Sequence, residues 1–264
     1  MRIALFTDTF PPTLNGVARA MGLLVEHAAR AGHEVGVVSP RVADADCPDA
    51  AFHIQLPGVA LPFYRELQAA RPWLGGRHRR TLERFRPQVV HAGVEALVGG
   101  LGRRWARRHR LPLVTSYCTN FPEYLAGYGL GRLEGAAWAH LRRFHAAADL
   151  TVCPSAATLA ALRERGFHGR LGLWGRGVDG ELFHPARRDP DLRLVEDNAL
   201  RARLRRQARA RAETHTWEAV FERLFRSYAE IIQERDGSVT APVPDPPPAP
   251  VSFASMEPSQ GKRT

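Results

Sequence analysis

Thr7-Asp8-Thr9-Phe10-Pro11-Pro12-Thr13-Leu14-Asn15-Gly16-Val17 decides how this chain folds. A short apolar run, Ile3-Ala4-Leu5-Phe6, precedes it and reads as a first β-strand. A helix-like stretch from Ala18 to Ala31 follows it. Strand, loop closing on a glycine, then helix is a geometry that turns backbone N–H groups toward a phosphate. Gly16 carries no Cβ, so a ligand can approach the backbone there. The segment therefore predicts a ligand site close to the N-terminus.

Outward from it, strand-like and helix-like segments alternate for about the first 180 residues. Strands are expected at Val35–Ser39, Phe52–Leu56, Val89–Ala92, Leu113–Ser116, Leu150–Cys153 and Leu171–Leu173. Helices are expected over Arg77–Phe85, Ala96–Arg108, Leu133–Ala147 and Ser155–Arg165, with Ser155 as an N-cap and Gly166 as a stop. Pro57, Gly58 and Pro62 break regular structure. Short β-branched runs separated by helices imply an α/β fold with a doubly wound parallel sheet. After Pro185 the pattern changes. Helix-like sequence runs from Ala199 to about Glu234, arginine-rich at first and then apolar at helical spacing from Trp217 to Phe225. The expected division is 1–185, 186–235 and a disordered tail over 236–264, rich in Pro, Ser and Gly.

The chain has 264 residues, is 44% hydrophobic and carries a net charge of +10, enough apolar content for a substantial core. Lys262 is the one lysine, so the basic character rests on arginine. No stretch is long and apolar enough to span a bilayer. The N-terminus shows neither the basic nor the hydrophobic region of a signal peptide, so a cytoplasmic location is expected. Cys47, Cys118 and Cys153 show neither a disulfide framework nor zinc-ligand spacing. His140 and His145 stand five apart on one expected helix and share no face for a metal. Nucleic-acid motifs are missing, and no nucleic-acid partner is expected. The basic segments Gly76–Arg80 and Trp105–Arg110 read as solvated faces, with an anionic membrane surface as the sharper alternative.

Gly175-Arg176-Gly177-Val178-Asp179-Gly180 matches G-x-G-x-x-G. A dinucleotide fingerprint must open a helix, and here Pro185 follows within a few residues, so the segment reads as a loop. Thr115-Ser116-Tyr117-Cys118-Thr119-Asn120-Phe121-Pro122-Glu123-Tyr124 sits at the carboxyl end of an expected strand. There a ligand loop and a polar helix cap are equally good readings. His91, also at a strand end, reads as a satisfied core histidine.

Taken in order, four segments resemble a GT-B glycosyltransferase of the retaining family 4 type, which includes α-mannosyltransferases and glycolipid glycosyltransferases. They are Asp8–Pro12 with Asn15-Gly16-Val17, Gly32-His33-Glu34-Val35, Thr115–Tyr124, and Trp174–Asp179 with Leu182–Pro185. Leu200–Ile232 looks like the final helices of the same family. The resemblance implies a Rossmann-like N-terminal domain with C-terminal helices packed back on it. It implies hexosyl transfer, mannosyl foremost, from a GDP- or UDP-linked nucleotide sugar to a lipid-type or glycan acceptor, with retained configuration. Asn15 and Gly16 would lie at the donor phosphates. Asp8, Tyr117, Asn120 and Tyr124 would line the acceptor side. Cys118 occupies the catalytic-loop position that is usually histidine, and a thiol does not replace imidazole as a proton carrier. No cofactor and no metal are implied. A place at the inner face of the cell membrane would follow from a lipid acceptor.

The family's second domain, which holds most of the donor, has no counterpart between Pro185 and Leu200, because such a domain needs on the order of 100 residues. The expectation is an acceptor-side half with little activity alone. The alternative is a non-catalytic module that binds an acceptor or a partner.

Overall fold

The structure, a computed structural model, describes residues 1–42, 47–61, 64–122, 129, 131–179, 182–184 and 198–237. Seven strands form one parallel sheet: β1 (Arg2–Phe6), β2 (Glu34–Pro40), β3 (Phe52–Leu56), β6 (Val89–Ala92), β7 (Leu113–Ser116), β8 (Leu150–Cys153) and β9 (Leu171–Leu173). Their order is β3-β2-β1-β6-β7-β8-β9. Crossover helices α1 (Gly16–Arg30), α3 (Leu97–His109), α4 (Glu134–His145) and α5 (Ala156–Glu164) join them, with α2 (Gly76–Phe85) preceding β6. The expected doubly wound α/β class is what the chain adopts. The expected strands fall where the sequence placed them, within a residue or two.

Two differences matter. The Pro57–Pro62 region does not simply break regular structure: β4 (Gly58–Leu61) and β5 (Tyr64–Ala70) form an antiparallel hairpin. Gly58–Leu61, expected to be irregular, is thus a strand. Second, the helical run after Ala199 is two helices, α6 (Asn198–Thr214) and α7 (Trp217–Arg235). The break has a local cause. Thr216 is extended, and its Oγ1 accepts from Ala219 N at 3.3 Å, capping a new helix. The expected tail falls, from residue 238 onward, outside the described residues, as does most of the segment between Pro185 and Asn198.

Strand alternation separates two cores. Ile3, Leu5, Val35, Val37, Val89 and Val114 face one side, while Ala4, Phe6, Val38, Val90 and Leu113 face the other. α3 covers the second side through Val98, Leu101, Trp105 and Ala106. The first side is covered by α1 together with the distant α7. Val220, Phe221, Leu224, Phe225, Tyr228 and Ile231 are buried at helical spacing and join the same cluster as Ile3 and Leu5. Full burial of one such side chain is worth about 1.5–3 kcal/mol, so α7 is integral to this half of the sheet. Arg170 pairs with Glu230 and Glu234 at 2.8 Å each, and Arg235 with Asp149 at 2.8 Å. Those pairs are part-exposed and set register more than stability.

The return of the chain to the sheet has a tight point. Val178 N donates to His215 O at 2.8 Å, and Val178 bridges Thr216. A Cβ at Gly177 would lie 2.5 Å from the Cα of Trp217, so only glycine lets these two segments touch. Gly177 of the rejected fingerprint thus has a packing reason.

Candidate functional site

The strand order reverses between β1 and β6, and in open α/β sheets ligands bind outside the carboxyl ends of strands at such a point. The loops after β1 and β6 flank this crevice. Asp8, in the first, is 2% exposed and accepts from Val98 N at 2.8 Å and Gly99 N at 3.0 Å in the first turn of α3. One carboxylate therefore ties the two loops together. Its pKa is pushed up to about 6 by burial, partly opposed by those N–H donors. The same helix start explains Gly99: a Cβ there would lie 1.7 Å from Val94 O.

Asn15 is the N-cap of α1. Its Oδ1 accepts from Ala18 N at 2.8 Å, and its Nδ2 donates to Thr9 Oγ1 at 2.9 Å. With Ala18 satisfied, the N–H groups of Gly16 and Val17 have no intrahelical acceptor. A Cβ built on Gly16 meets nothing within 4 Å, so the space beside this helix start is open. The helix dipole and these donors favour an anion there.

The loop after β7 makes the second wall. Tyr117 is 4% exposed; its hydroxyl donates to Asn120 Oδ1 at 2.9 Å, and its ring stacks with Trp138. Tyr117, Cys118, Asn120, Trp138, Leu162 and Arg165 border a cavity of about 360 Å³. The Arg165 guanidinium lies 4.3 Å above the Trp138 ring, so the cavity has an aromatic wall with a cation at its rim. Cys118 is half-buried and its thiol is pushed up to about 11 by burial. The positive charge of Arg176 opposes that rise. At neutral pH it is therefore a thiol, not a thiolate, and neither a nucleophile nor a useful acid. Tyr124 lies outside the described residues.

Three further side chains belong here that the sequence reading gave no role. Arg176 acts electrostatically on Cys118, and its guanidinium lies 5.5 Å from the Trp174 ring centroid. Glu95 accepts from His145 Nε2 at 3.2 Å and acts electrostatically on both Asp8 and Cys118. Ser116 Oγ lies 2.5 Å from Nε2 of buried His91. Arg176 and Ser116 both stand inside quoted motifs, whereas Glu95 has no spacing signal. His91 is the satisfied core histidine the sequence suggested: it is fully buried and hydrogen-bonded on both ring nitrogens. Among the described residues no group of His, Cys, Asp and Glu is arranged to hold a metal.

A wider groove, about 930 Å³, opens at the other end of the sheet among Arg2, Glu34, Phe52, Arg80, Arg84 and Arg86. It lies at the amino ends of β1, β2 and β3, away from the crevice, and its arginines are solvent-facing.

Comparison with known proteins agrees with this geometry. The model of Glycosyltransferase Family 4 matches residues 14–182. A GDP-mannose-dependent alpha-mannosyltransferase of Mycobacterium tuberculosis is 34% identical over 198 residues, covering 73% of this chain and 52% of that protein. A sulfoquinovosyl transferase of Arabidopsis thaliana is 30% identical over 200 residues, covering 75% of this chain and 39% of that protein. Sucrose-phosphate synthase from Thermosynechococcus elongatus is similar in fold, with a TM-score of 0.50 at 17% identity over 78% of this chain and 52% of that one. A shorter chain of that synthase also gives 0.50 at 14% identity, over 88% of this chain and 99% of that one. This chain spans about half the length of the curated relatives it matches most strongly.

Proposed function

This chain belongs to Glycosyltransferase Family 4, and on that premise we propose that it is the acceptor-side half of a retaining hexosyltransferase. The donor is a nucleotide sugar, GDP-mannose first and a UDP-hexose second, and the acceptor is a lipid or glycan hydroxyl. The observation that carries this reading is that the loops after the neighbouring strands β1, β6 and β7 all leave the carboxyl end of the sheet, with Asn15, Gly16 and the β7 loop inside the family match. In this reading the N–H groups of Gly16 and Val17 receive the donor diphosphate. The cavity walled by Tyr117, Asn120 and Trp138 receives the acceptor. Asp8 and Asn15 hold the loops in place, since their side-chain oxygens are engaged by backbone N–H groups. The division at 185 and 235 is part of the same proposal.

The test is calorimetric titration of the folded chain with GDP-mannose and UDP-glucose, repeated on Gly16→Trp. Sugar-nucleotide binding that the tryptophan abolishes supports the reading. Failure of a well-folded chain to bind either nucleotide removes the donor assignment.

A second reading has its own observation. Leu14 (93% exposed), Phe121, Leu182 and Phe183 leave large apolar side chains exposed in loops that follow β1, β7 and β9. Exposed apolar side chains of this kind favour association. The reading is a non-catalytic module that docks a complete transferase through this edge. A stable heteromer that Leu14→Asp disrupts would support it; a strictly monomeric chain would end it.

The arginine-rich α2, α3 and α6 suggest a peripheral place on an anionic membrane, at the inner face if the chain is cytoplasmic. No helix among the described residues is long and apolar enough to cross a membrane. Salt-sensitive co-sedimentation with phosphatidylglycerol vesicles, and none with phosphatidylcholine vesicles, is the expected result.

A further inference from the structure

The strand order places one loop between the two walls of the crevice, because β6 lies between β1 and β7. In the proposed reaction the diphosphate sits at the loop after β1 and the acceptor at the loop after β7. The hexose is bonded to the first and must meet the second, so it lies over the loop after β6. Ala92, the last residue of β6, is in register with Phe6 on one side and Thr115 on the other. The loop that follows is Gly93-Val94-Glu95-Ala96, and Glu95 is its one polar side chain. Its charge acts on both Asp8, after β1, and Cys118, after β7, as that place requires.

Glu95 is held twice by α4. His140 Nε2 lies 3.2 Å from its backbone oxygen, and His145 Nε2 lies 3.2 Å from its Oε1. A carbonyl and a carboxylate oxygen accept, so both ring nitrogens donate. His145 is braced in turn: its Nδ1 lies 2.8 Å from Thr115 Oγ1, which lies 2.9 Å from Thr151 Oγ1. The His145 ring centroid is 6.1 Å from that of Tyr117, a wall of the acceptor cavity. The two histidines that share no face for a metal thus share one glutamate.

The Glu95 side chain is 10% exposed. Its Oε1 is engaged, while its Oε2 has no hydrogen-bond partner among the described residues and is not sealed from solvent. A carboxylate fixed at one oxygen and open at the other is a preorganised hydrogen-bond acceptor. We infer that Glu95 is a specificity-determining residue that accepts hydrogen bonds from hydroxyls of the transferred hexose. The inference rests on the proposed function in placing the donor diphosphate at Gly16 and the acceptor beside Tyr117.

Calorimetric titration of the full chain with GDP and with GDP-mannose isolates the hexose, because the nucleotide is common to both. The wild-type chain should bind GDP-mannose more tightly. Glu95→Gln keeps the size of the side chain and removes its charge. It should weaken GDP-mannose roughly tenfold and leave GDP unchanged. No change, or an equal loss for both ligands, would overturn the inference, since a residue that only shapes the loop moves both together. Deoxy analogues of GDP-mannose make the same cut from the ligand side, so a misfolded variant cannot decide the matter. On the wild-type chain at least one analogue should bind roughly tenfold more weakly than GDP-mannose, and Glu95→Gln should not distinguish that pair. If every analogue binds as well as its parent, Glu95 touches no hydroxyl and the inference fails. The two failures separate. A chain that binds GDP and GDP-mannose alike keeps the diphosphate assignment and loses Glu95, whereas a chain that binds neither loses the donor assignment and the hexose site with it.

Discussion

The two ends of the parallel sheet are built on different terms. At the carboxyl ends, buried polar groups are numerous and engaged. Asp8 holds two α3 N–H groups, His91 lies between Tyr228 and Ser116, and Thr115 contacts His145 at 2.8 Å and Thr151 at 2.9 Å. At the amino ends there is more open volume but less construction: solvent-facing arginines around a groove. A large opening costs a protein nothing to leave, whereas buried polar groups must each be satisfied or they destabilise the fold. The smaller cavity, beside the engaged groups, is therefore the better guide to where function lies.

Substitutions can break that contrast. Gly99→Val drives a side chain into the Val94 carbonyl and should unseat the α3 start, costing about 3 kcal/mol or more in denaturant unfolding. Asp8→Ala leaves two buried N–H groups without an acceptor and should cost about 2 kcal/mol. By contrast, Arg84→Ala at the amino end should stay within about 0.5 kcal/mol and leave nucleotide titration unchanged. Equal costs at the two ends would dissolve the comparison.

The pH dependence sharpens it. Asp8 is raised in the folded state to about 6 from 3.8, so between those values the folded chain holds the extra proton. Its contribution to stability falls as pH rises through that window. His91 is lowered to about 3 from 6.5, so the unfolded chain holds the extra proton and stability falls as pH drops below 6.5. Each slope is at most about 1.4 kcal/mol per pH unit, and between about pH 4 and 6 they oppose each other. Asp8→Asn should steepen the loss of stability on acidification; His91→Gln should flatten or reverse it. Urea titrations at pH 4, 5, 6 and 7 separate these outcomes.

Much of the fold was legible because parallel strands buried on both faces read as continuous apolar runs, such as Val35–Val38 and Val89-Val90. The N-caps Ser155 and Thr216 are local chemistry too, yet only Ser155 was read, because Thr216 falls inside an unbroken helical pattern. The pairing of β4 with β5 has no clear sequence signal, because Pro62 falls between the two strands. At the site, Gly16, Asn15 and Tyr117 stand in recognisable motifs. Glu95 stands in no motif, and the contact of Ser116 with His91 forms only where strands far apart in sequence align. The partnership of Tyr228 with His91 spans 137 positions and has no local signature.

The bridge between Val178 and Thr216 carries one more consequence. The two ends of the stretch it brackets meet side by side. Such a junction works as a cassette port, where a whole folded unit can be spliced in or out while the host keeps its register. Closing a flexible loop costs only about 0.6 kcal/mol more for each doubling of its length. Chains of very different size can therefore share this host, and the joint makes residues 179–215 the natural place to graft a reporter domain.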